Sequence, residues 1–200
     1  MIPDRSPLGR IQDFFAPRAH GWDERFAHDS VQFSRAVLDV APASGSRVLD
    51  AGCGTSRAMP YLKQSVGSSG QVVGLDATRE MLVEGARLGR LSLGYLVQSD
   101  VEHLPFLDRE FDLIFAGGLI PHLGEPEQAL TEFARIIRPG GRLAIFHALG
   151  RVALARRHGG VPADDDAIAP GRLTGMLATT GWTVDLIDDA EERFLVLAHI

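Results

Sequence analysis

The sequence has very few of the residues that crosslink small proteins or bind metals. Cys53 is the only cysteine in 200 residues, so no internal disulfide can form. Paired C-x-x-C motifs and the H-E-x-x-H pattern are absent, and so is the Gly-x-Ser-x-Gly turn of α/β-hydrolases. We therefore expect no metal site, and one thiol is typical of a protein from a reducing cytoplasm.

Net positive charge and long apolar runs are also missing. The 26 acidic and 20 basic residues give a net charge of −6, which argues against a broad surface for nucleic acid or anionic membranes. No apolar run approaches the roughly 20 residues of a membrane span, and the first residues lack the apolar core of a signal peptide. We expect a cytoplasmic protein, forming one domain over residues 1–200, whose partners are small molecules.

The most informative stretch runs from Val48 to Thr55 (VLDAGCGT) and reads as a buried strand followed by a glycine-rich turn. The glycines at 52 and 54 let the backbone turn sharply and approach a ligand closely. A helix beginning just after the turn directs unpaired N–H groups into it, where they suit a carboxylate or a phosphate. Asp50, at the end of the strand, adds a negative charge. Donors beside an acid favour a zwitterionic ligand over a pyrophosphate.

The spacing of the glycines separates two nucleotide cofactors. Dinucleotide-binding turns follow G-x-G-x-x-G, in which the third glycine allows close packing of helix and strand. Here Arg57 occupies the third position, which argues against NAD. The pattern Asp-x-Gly-x-Gly resembles instead the signature loop of class I S-adenosylmethionine (SAM) methyltransferases, although a purely structural turn is an alternative for this stretch taken alone.

Strands alternate with helices along most of the chain. Residues 1–28 are predicted to be a poorly ordered lead-in. Within it, GWDERF (21–26) is either a lid over the site or a small aromatic cluster. Residues 148–169 are predicted to be an irregular insertion on the substrate side. Strands are predicted at 47–51, 71–76, 93–98, 111–116, 142–147, 182–188 and 193–199. Helices are predicted from Asp29 or Ser30 to residue 40, at 56–64, after a capping Thr78, from Pro126, and at 170–180.

This order predicts an α/β fold with a parallel, doubly wound sheet and helices on both faces. The short acidic loop before the last strand forces that strand to run antiparallel to its neighbour. Ligands in such sheets bind beyond the carboxyl ends of the strands. The loops after the first four strands all carry groups suited to a ligand, so we expect one shared site.

The chain resembles the class I SAM-dependent methyltransferases, especially the small C-methyltransferases of ubiquinone and menaquinone biosynthesis. The resemblance covers about residues 20–200 and lies in VLDAGCGTS (48–56), VVGLDAT (72–78), QSDVEHLPF (98–106), FDLIFAGGLIPHL (111–123) and RIIRPGGRLAIFH (135–147). It implies a Rossmann-like, seven-stranded, mostly parallel sheet with an antiparallel last strand, and SAM as cofactor. Ser56 departs from the family pattern, which commonly has a third glycine there.

The resemblance also implies roles for individual residues. Gly52, Cys53 and Gly54 would hold the methionine end of SAM through the backbone, and Asp50 would lie near its ammonium group. Asp76 would accept both ribose hydroxyls, unless it only caps a helix. The remaining expected contacts are Ala77 and Met81 beside the adenine, Asp100 and the Val101 N–H on its polar edge, and Ala116 and Gly117 beside the sulfonium. For Asp100 the alternative is an Asx turn.

Methyl transfer needs alignment of acceptor, methyl carbon and sulfur, and in some cases a base. His122 and His147, at the ends of the fourth and fifth strands, are the candidate catalytic bases, although histidines at such positions are often structural. His20 and His28 are weaker candidates, and His103 is expected near the adenine.

Three questions stay open at the sequence level. The arginines at 151–157 face either an acidic substrate or solvent. The function is methyl transfer to a quinone-like, phenolic or secondary-metabolite acceptor, or else SAM binding without transfer, with an NAD-dependent oxidoreductase as a third alternative. The chain is either a monomer or a homodimer.

Overall fold

A computed structural model describes residues 6–200 of the chain. Its α-helices are α1 Pro7–Phe15, α2 Trp22–Arg25, α3 Ser30–Val40, α4 Met59–Val66, α5 Arg79–Arg87, α6 Pro126–Ile136, α7 Arg151–Arg157 and α8 Pro170–Thr179. Its strands are β1 Arg47–Ala51, β2 Gln71–Asp76, β3 Tyr95–Gln98, β4 Phe111–Gly117, β5 Ile137–His147, β6 Thr183–Ala190 and β7 Arg193–His199.

Within the described residues, the strands form one seven-stranded sheet in the order β3-β2-β1-β4-β5-β7-β6. The first five strands pair in parallel. β7 lies between β5 and β6 and is antiparallel to both, as the short loop before it predicts. The winding direction reverses between β1 and β4, so the carboxyl end of β1 lies at the crevice where doubly wound sheets bind ligands.

Neighbouring residues of β1 face opposite sides of the sheet, because side chains alternate along a strand. Val48 packs with the buried residues of α3 and α4, whereas Leu49 packs with those of α6 and α8. The sheet is therefore covered by helices on both faces, and the Rossmann-like α/β fold implied by the family resemblance is confirmed.

Three predicted boundaries are wrong for local reasons. The helix after the glycine-rich turn begins at Met59 rather than at 56, because Ser56 adopts a left-handed φ of 59° that a right-handed helix excludes. β3 begins at Tyr95 because a 3₁₀ turn occupies Arg90–Ser92. β5 begins at Ile137, which pairs with Phe111, and a register shift between β4 and β5 accommodates the Pro-Gly-Gly sequence expected to be a turn.

Two predicted helix caps are also wrong. Asp29 and Thr78 occupy the N-cap positions of α3 and α5, but neither side chain bonds the helix backbone. The Asp29 carboxylate instead contacts Arg57 at 3.4 Å and His28 at 3.0 Å. The Thr78 N–H donates instead to the carboxylate of Asp76, at 2.7 Å.

The N-terminal segment is more ordered than its composition predicts. Residues 1–5 lie outside the described part, but α1 is a helix capped by the side chain of Ser6, with Pro7 in its first turn. The side-chain amide of Gln12 donates to the Ala77 carbonyl at 2.9 Å, which ties α1 to the loop after β2. The predicted irregular insertion at 148–169 likewise contains α7. Among residues 6–200, no helix combines the length and the apolar composition that crossing a bilayer requires.

Candidate functional site

A cavity of about 390 Å³ lies at the carboxyl ends of the parallel strands. This volume falls within the range of roughly 300–1,000 Å³ that is typical of small-molecule sites. Of the eleven residues expected to contact the cofactor, ten line the cavity: Asp50, Gly52, Cys53, Gly54, Asp76, Ala77, Met81, Asp100, Val101 and Gly117. The eleventh, Ala116, is buried in the core and does not line it.

Asp50 is a buried acid at the inner end of the cavity. It lies between Gly74 of β2 and Phe115 of β4, and only 2% of its surface is exposed. Burial, with a smaller contribution from the charge of Asp76, raises the pKa of Asp50 to about 8. Its Oδ2 atom has no hydrogen-bond partner among residues 6–200. At neutral pH the raised pKa therefore favours the protonated form of Asp50 over the negative charge expected from the sequence.

The glycine-rich turn is held tightly against β2. The Cys53 N–H donates to the Leu75 carbonyl at 2.9 Å, and the Gly54 N–H donates to Asp76 Oδ2 at 2.8 Å. Gly52 and Gly54 both have positive φ, of 63° and 56°. A Cβ on Gly52 would lie 2.6 Å from Leu119, whereas one on Gly54 would meet no protein atom within 4 Å. Gly54 therefore keeps open a space that a side chain would fill.

Asp76 ends β2 and organises two loops. Its Oδ2 accepts from Gly54 and its Oδ1 accepts from the Thr78 N–H. Each carboxylate oxygen can accept a further hydrogen bond, so these contacts leave capacity for hydroxyl donors from a ligand. Burial raises the pKa of Asp76, an effect that the two backbone hydrogen bonds oppose.

The loop after β3 brings Asp100 and Val101 to the same cavity. Asp100 Oδ1 accepts from the Glu102 N–H at 3.0 Å, so the Asx turn considered as an alternative is present. The residue also lines the cavity, so the turn and a ligand contact are compatible. Met81, from α5, is 2% exposed and contributes an apolar contact. His103 lies 3.7 Å from Asp100, on this side of the site, and does not line the cavity.

A second group of cavity residues is apolar and aromatic, and we call it the aromatic half of the cavity. Its rings come from N-terminal elements and from β5: Phe14, Phe15, Trp22, Phe26, Phe33 and Phe146. Phe15 and Trp22 pack edge to face with centroids 5.7 Å apart. Sequence analysis considered only residues 21–26 as a lid or cluster and missed α1. The apolar spacing of Leu8, Ile11 and Phe15 in α1 was the available signal.

His122 and His147 both line this half of the cavity. Phe15 packs against the His122 ring with centroids 5.1 Å apart. Burial lowers the pKa of both histidines, and the neighbouring His147 and His158 lower that of His122 further. Both are therefore neutral at pH 7. Nδ1 of His147 lies 3.0 Å from the Leu149 carbonyl oxygen and 3.1 Å from the Leu149 backbone nitrogen. The tautomer that donates to the carbonyl leaves Nε2 as an acceptor, whereas the tautomer that accepts from the N–H carries its proton on Nε2.

Two further cavity residues, Arg157 and His158, come from the end of α7. Sequence analysis left the Arg151–Arg157 group between a substrate contact and a solvated face. The structure divides the group: both Arg156 and Arg157 are exposed, but Arg156 lies 3.4 Å from Glu191 and does not line the cavity, whereas Arg157 lines it. His20 and His28 do not line it.

The cavity residues fit SAM on physical grounds. The unpartnered oxygen of Asp50 suits an ammonium group, since a buried polar atom without a partner is costly. Asp76 suits a ribose, and Met81 with Val101 offers apolar surface for a flat ring. Among residues 6–200 there is no group of three or more potential metal ligands.

Known proteins that are similar to this chain include methyltransferases. The model of a family described as a methyltransferase domain matches residues 49–145. A 2-phytyl-1,4-naphtoquinone methyltransferase from Synechocystis is 33% identical over 72% of this chain and 66% of its own length. A demethylmenaquinone methyltransferase from Staphylococcus carnosus is 36% identical over 58% of this chain and 48% of its own.

A solved structure agrees over almost the whole chain. The crystal structure of a SAM-dependent methyltransferase from Aquifex aeolicus superposes with a TM-score of 0.70 and 25% identity, covering 98% of both chains. The chain spans about half to two thirds of the length of the two curated quinone methyltransferases.

Proposed function

Since the chain belongs to the class I SAM-dependent methyltransferases, we propose that it transfers the methyl group of SAM to a small, largely apolar acceptor. The acceptor class that suits the aromatic half of the cavity is a quinone-like, phenolic or related secondary metabolite. Two quinone methyltransferases among the relatives support this choice.

The observation that carries the proposal is that one cavity joins two chemically different halves. The cavity is lined both by the acids Asp50, Asp76 and Asp100 and by aromatic rings. A charged, hydroxyl-rich cofactor and a flat apolar acceptor would therefore meet within one cavity. Bringing reactants together in this way, and excluding water, supplies much of the rate acceleration for a transfer that needs no metal.

Each half of the cavity has a defined task in this proposal. SAM supplies an activated methyl group on a sulfonium. Asp50 binds the ammonium group, Asp76 accepts the ribose hydroxyls, and Asp100 with the Val101 N–H binds the adenine edge. Gly117 lines the cavity at the end of β4, and a Cβ there would lie 3.1 Å from Phe115 and 3.3 Å from Phe33, so glycine allows these rings to pack closely.

His122 and His147 are the candidate bases for an acceptor that must lose a proton. Both are neutral at pH 7 because burial lowers their pKa values, which is the state a base requires. In the tautomer in which His147 Nδ1 donates to the Leu149 carbonyl, Nε2 can accept a proton.

A direct test uses SAM labelled on its methyl group. The purified protein is incubated with a panel of hydroxylated naphthalenes and benzenes and with a metabolite extract, and label in organic-soluble products is counted. We expect label in at least one product with wild type, and much less label with Asp76→Ala when SAM is below saturation. Tight binding of S-adenosylhomocysteine (SAH) without transfer would favour the alternative, a SAM-binding protein that regulates or assembles. Binding of NAD in place of SAH would favour the oxidoreductase.

A further inference from the structure

Arg157 is a cation at the acceptor end of the cavity whose charge no protein group balances. Its guanidinium lies 5.4 Å from the centroid of the Phe26 ring. Among residues 6–200, no group forms a salt bridge or a hydrogen bond with the Arg157 side chain. Most arginines near it differ in this respect, since Arg151 donates to the Ala163 carbonyl and Arg156 lies near Glu191.

The second arginine of the cavity, Arg57, is already committed to the fold. It donates to the Phe26 carbonyl and lies 3.4 Å from Asp29. That pair neutralises Asp29, the acid of the cavity that comes from the N-terminal elements. The remaining acids that line the cavity are Asp50, Asp76, Asp100 and Glu102, which lie at the carboxyl ends of β1 and β2 and in the loop after β3.

The acceptor half therefore carries an uncompensated positive charge beside aromatic walls. His147 and His158 lie near Arg157, and the guanidinium is among the charges that lower the pKa of His147. The guanidinium of Arg157 is exposed and lines the same cavity as Phe15 and Phe26, so it can pair with the anionic group of a molecule that enters the cavity. A guanidinium pairs with a carboxylate through two parallel hydrogen bonds, which also fixes the orientation of the bound molecule.

We infer that Arg157 determines specificity, and that it selects planar aromatic acceptors that carry an anionic oxygen group. The inference rests on the proposed function, because it names the class of acceptor for the same cavity. The ring of the acceptor packs among the aromatic side chains, and its anionic group pairs with Arg157. In this arrangement the ring is presented to the end of β4, where Gly117 lines the cavity.

Two ligands of matched size test the inference by isothermal titration calorimetry. 2-Naphthoate carries a carboxylate, whereas 2-naphthamide has the same shape and no charge. With wild-type protein saturated with SAH, we expect the acid to bind roughly tenfold more tightly than the amide. Arg157→Gln should abolish the preference, and Arg156→Gln, which changes an exposed residue of the same helix that does not line the cavity, should retain it.

Several results would overturn the inference. These are equal affinity of wild type for the two ligands, no binding of either at millimolar concentration, and an unchanged preference in Arg157→Gln. Circular dichroism and the SAH affinity of each variant show whether the substitution has disturbed the fold or the cofactor half. The SAH titration comes first, so failure to bind SAH refutes the proposed function separately from the preference for an anion.

Discussion

The protonation of Asp50 makes the binding of SAH dependent on pH. In the ligand-free protein, burial and Asp76 hold the pKa of Asp50 at about 8, so the group is neutral at pH 6.5. SAH carries the same ammonium group as SAM. An ammonium beside Asp50 favours the ionised form and lowers its pKa, so binding should release a proton.

The size of the effect follows from the pKa. At pH 6.5 a group with a pKa near 8 is protonated in about 97% of molecules, so lowering its pKa below roughly 5 releases about 0.9 proton per SAH bound. By linkage, the Kd for SAH should fall about tenfold per pH unit between roughly pH 5.5 and 7.5. Above pH 8 the dependence should disappear, because Asp50 is then ionised before binding.

Calorimetry in two buffers that differ in ionisation enthalpy, phosphate and Bis-Tris at pH 6.5, measures the released proton directly. Asp50→Asn is the matched control, because the amide has nearly the same shape and cannot titrate. We expect release close to one proton for wild type and close to zero for the variant. No release by wild type, or equal release by both proteins, would refute the assignment of the ammonium to Asp50.

The same shift has a consequence for stability without ligand. Folded Asp50 keeps its proton up to about pH 8, whereas the unfolded chain loses it near the ordinary value of 3.8. The folded state therefore binds more protons between these values, and its free energy of unfolding should fall as pH rises through that window. Urea titrations of wild type and Asp50→Asn between pH 5 and 8 test this. The fall in the free energy of unfolding that is due to Asp50 should appear in wild type and be missing in Asp50→Asn.

Three further predictions concern the cofactor loop and the candidate bases. Asp76→Ala should weaken SAH binding by about 1.5–3 kcal/mol, the scale of hydrogen bonds to a charged group, and an unchanged Kd would make Asp76 a purely structural acid. If either histidine is a base, His122→Gln or His147→Gln should lower kcat far more than SAH affinity. In the pH profile of wild-type kcat, the acidic limb should lie below pH 6.5, because the pKa values of both histidines are lowered. Gly52→Ala should lower the free energy of unfolding by about 1–2 kcal/mol because of its left-handed φ, and a clash with Leu119 should add to this cost. Gly54→Ala should show the conformational cost alone. Equal melting temperatures for the two variants would contradict this prediction.

Sequence patterns are sufficient to predict the order of the strands in the chain and the residues on the cofactor side of the cavity. Each of the first four strands ends in a loop that carries a suitable group, and the carboxyl ends of parallel strands meet at one edge. Asp50, Asp76 and Asp100 consequently converge, although they lie far apart in the chain. Ala116 lies in the core and does not line the cavity, because a side chain at a strand end faces either one, and the sequence does not show which.

The acceptor side depends on tertiary packing, which local patterns do not contain. α1 was missed because Pro and Arg dominate its surroundings, yet Pro7 is compatible with a first helical turn. Which arginine of α7 faces the cavity depends on how that helix packs, so Arg156 and Arg157 were not distinguishable. The raised pKa of Asp50 likewise follows from complete burial rather than from its position in a motif.

A crystal structure of the complex with SAH would test the central claim most directly. We expect SAH within the cavity at the ends of β1, β2 and β3, with its ammonium beside Asp50, its ribose hydroxyls on Asp76 and its adenine against Met81 and Asp100. SAH bound outside this cavity, or in the reverse orientation with its adenine near Asp50, would contradict the account.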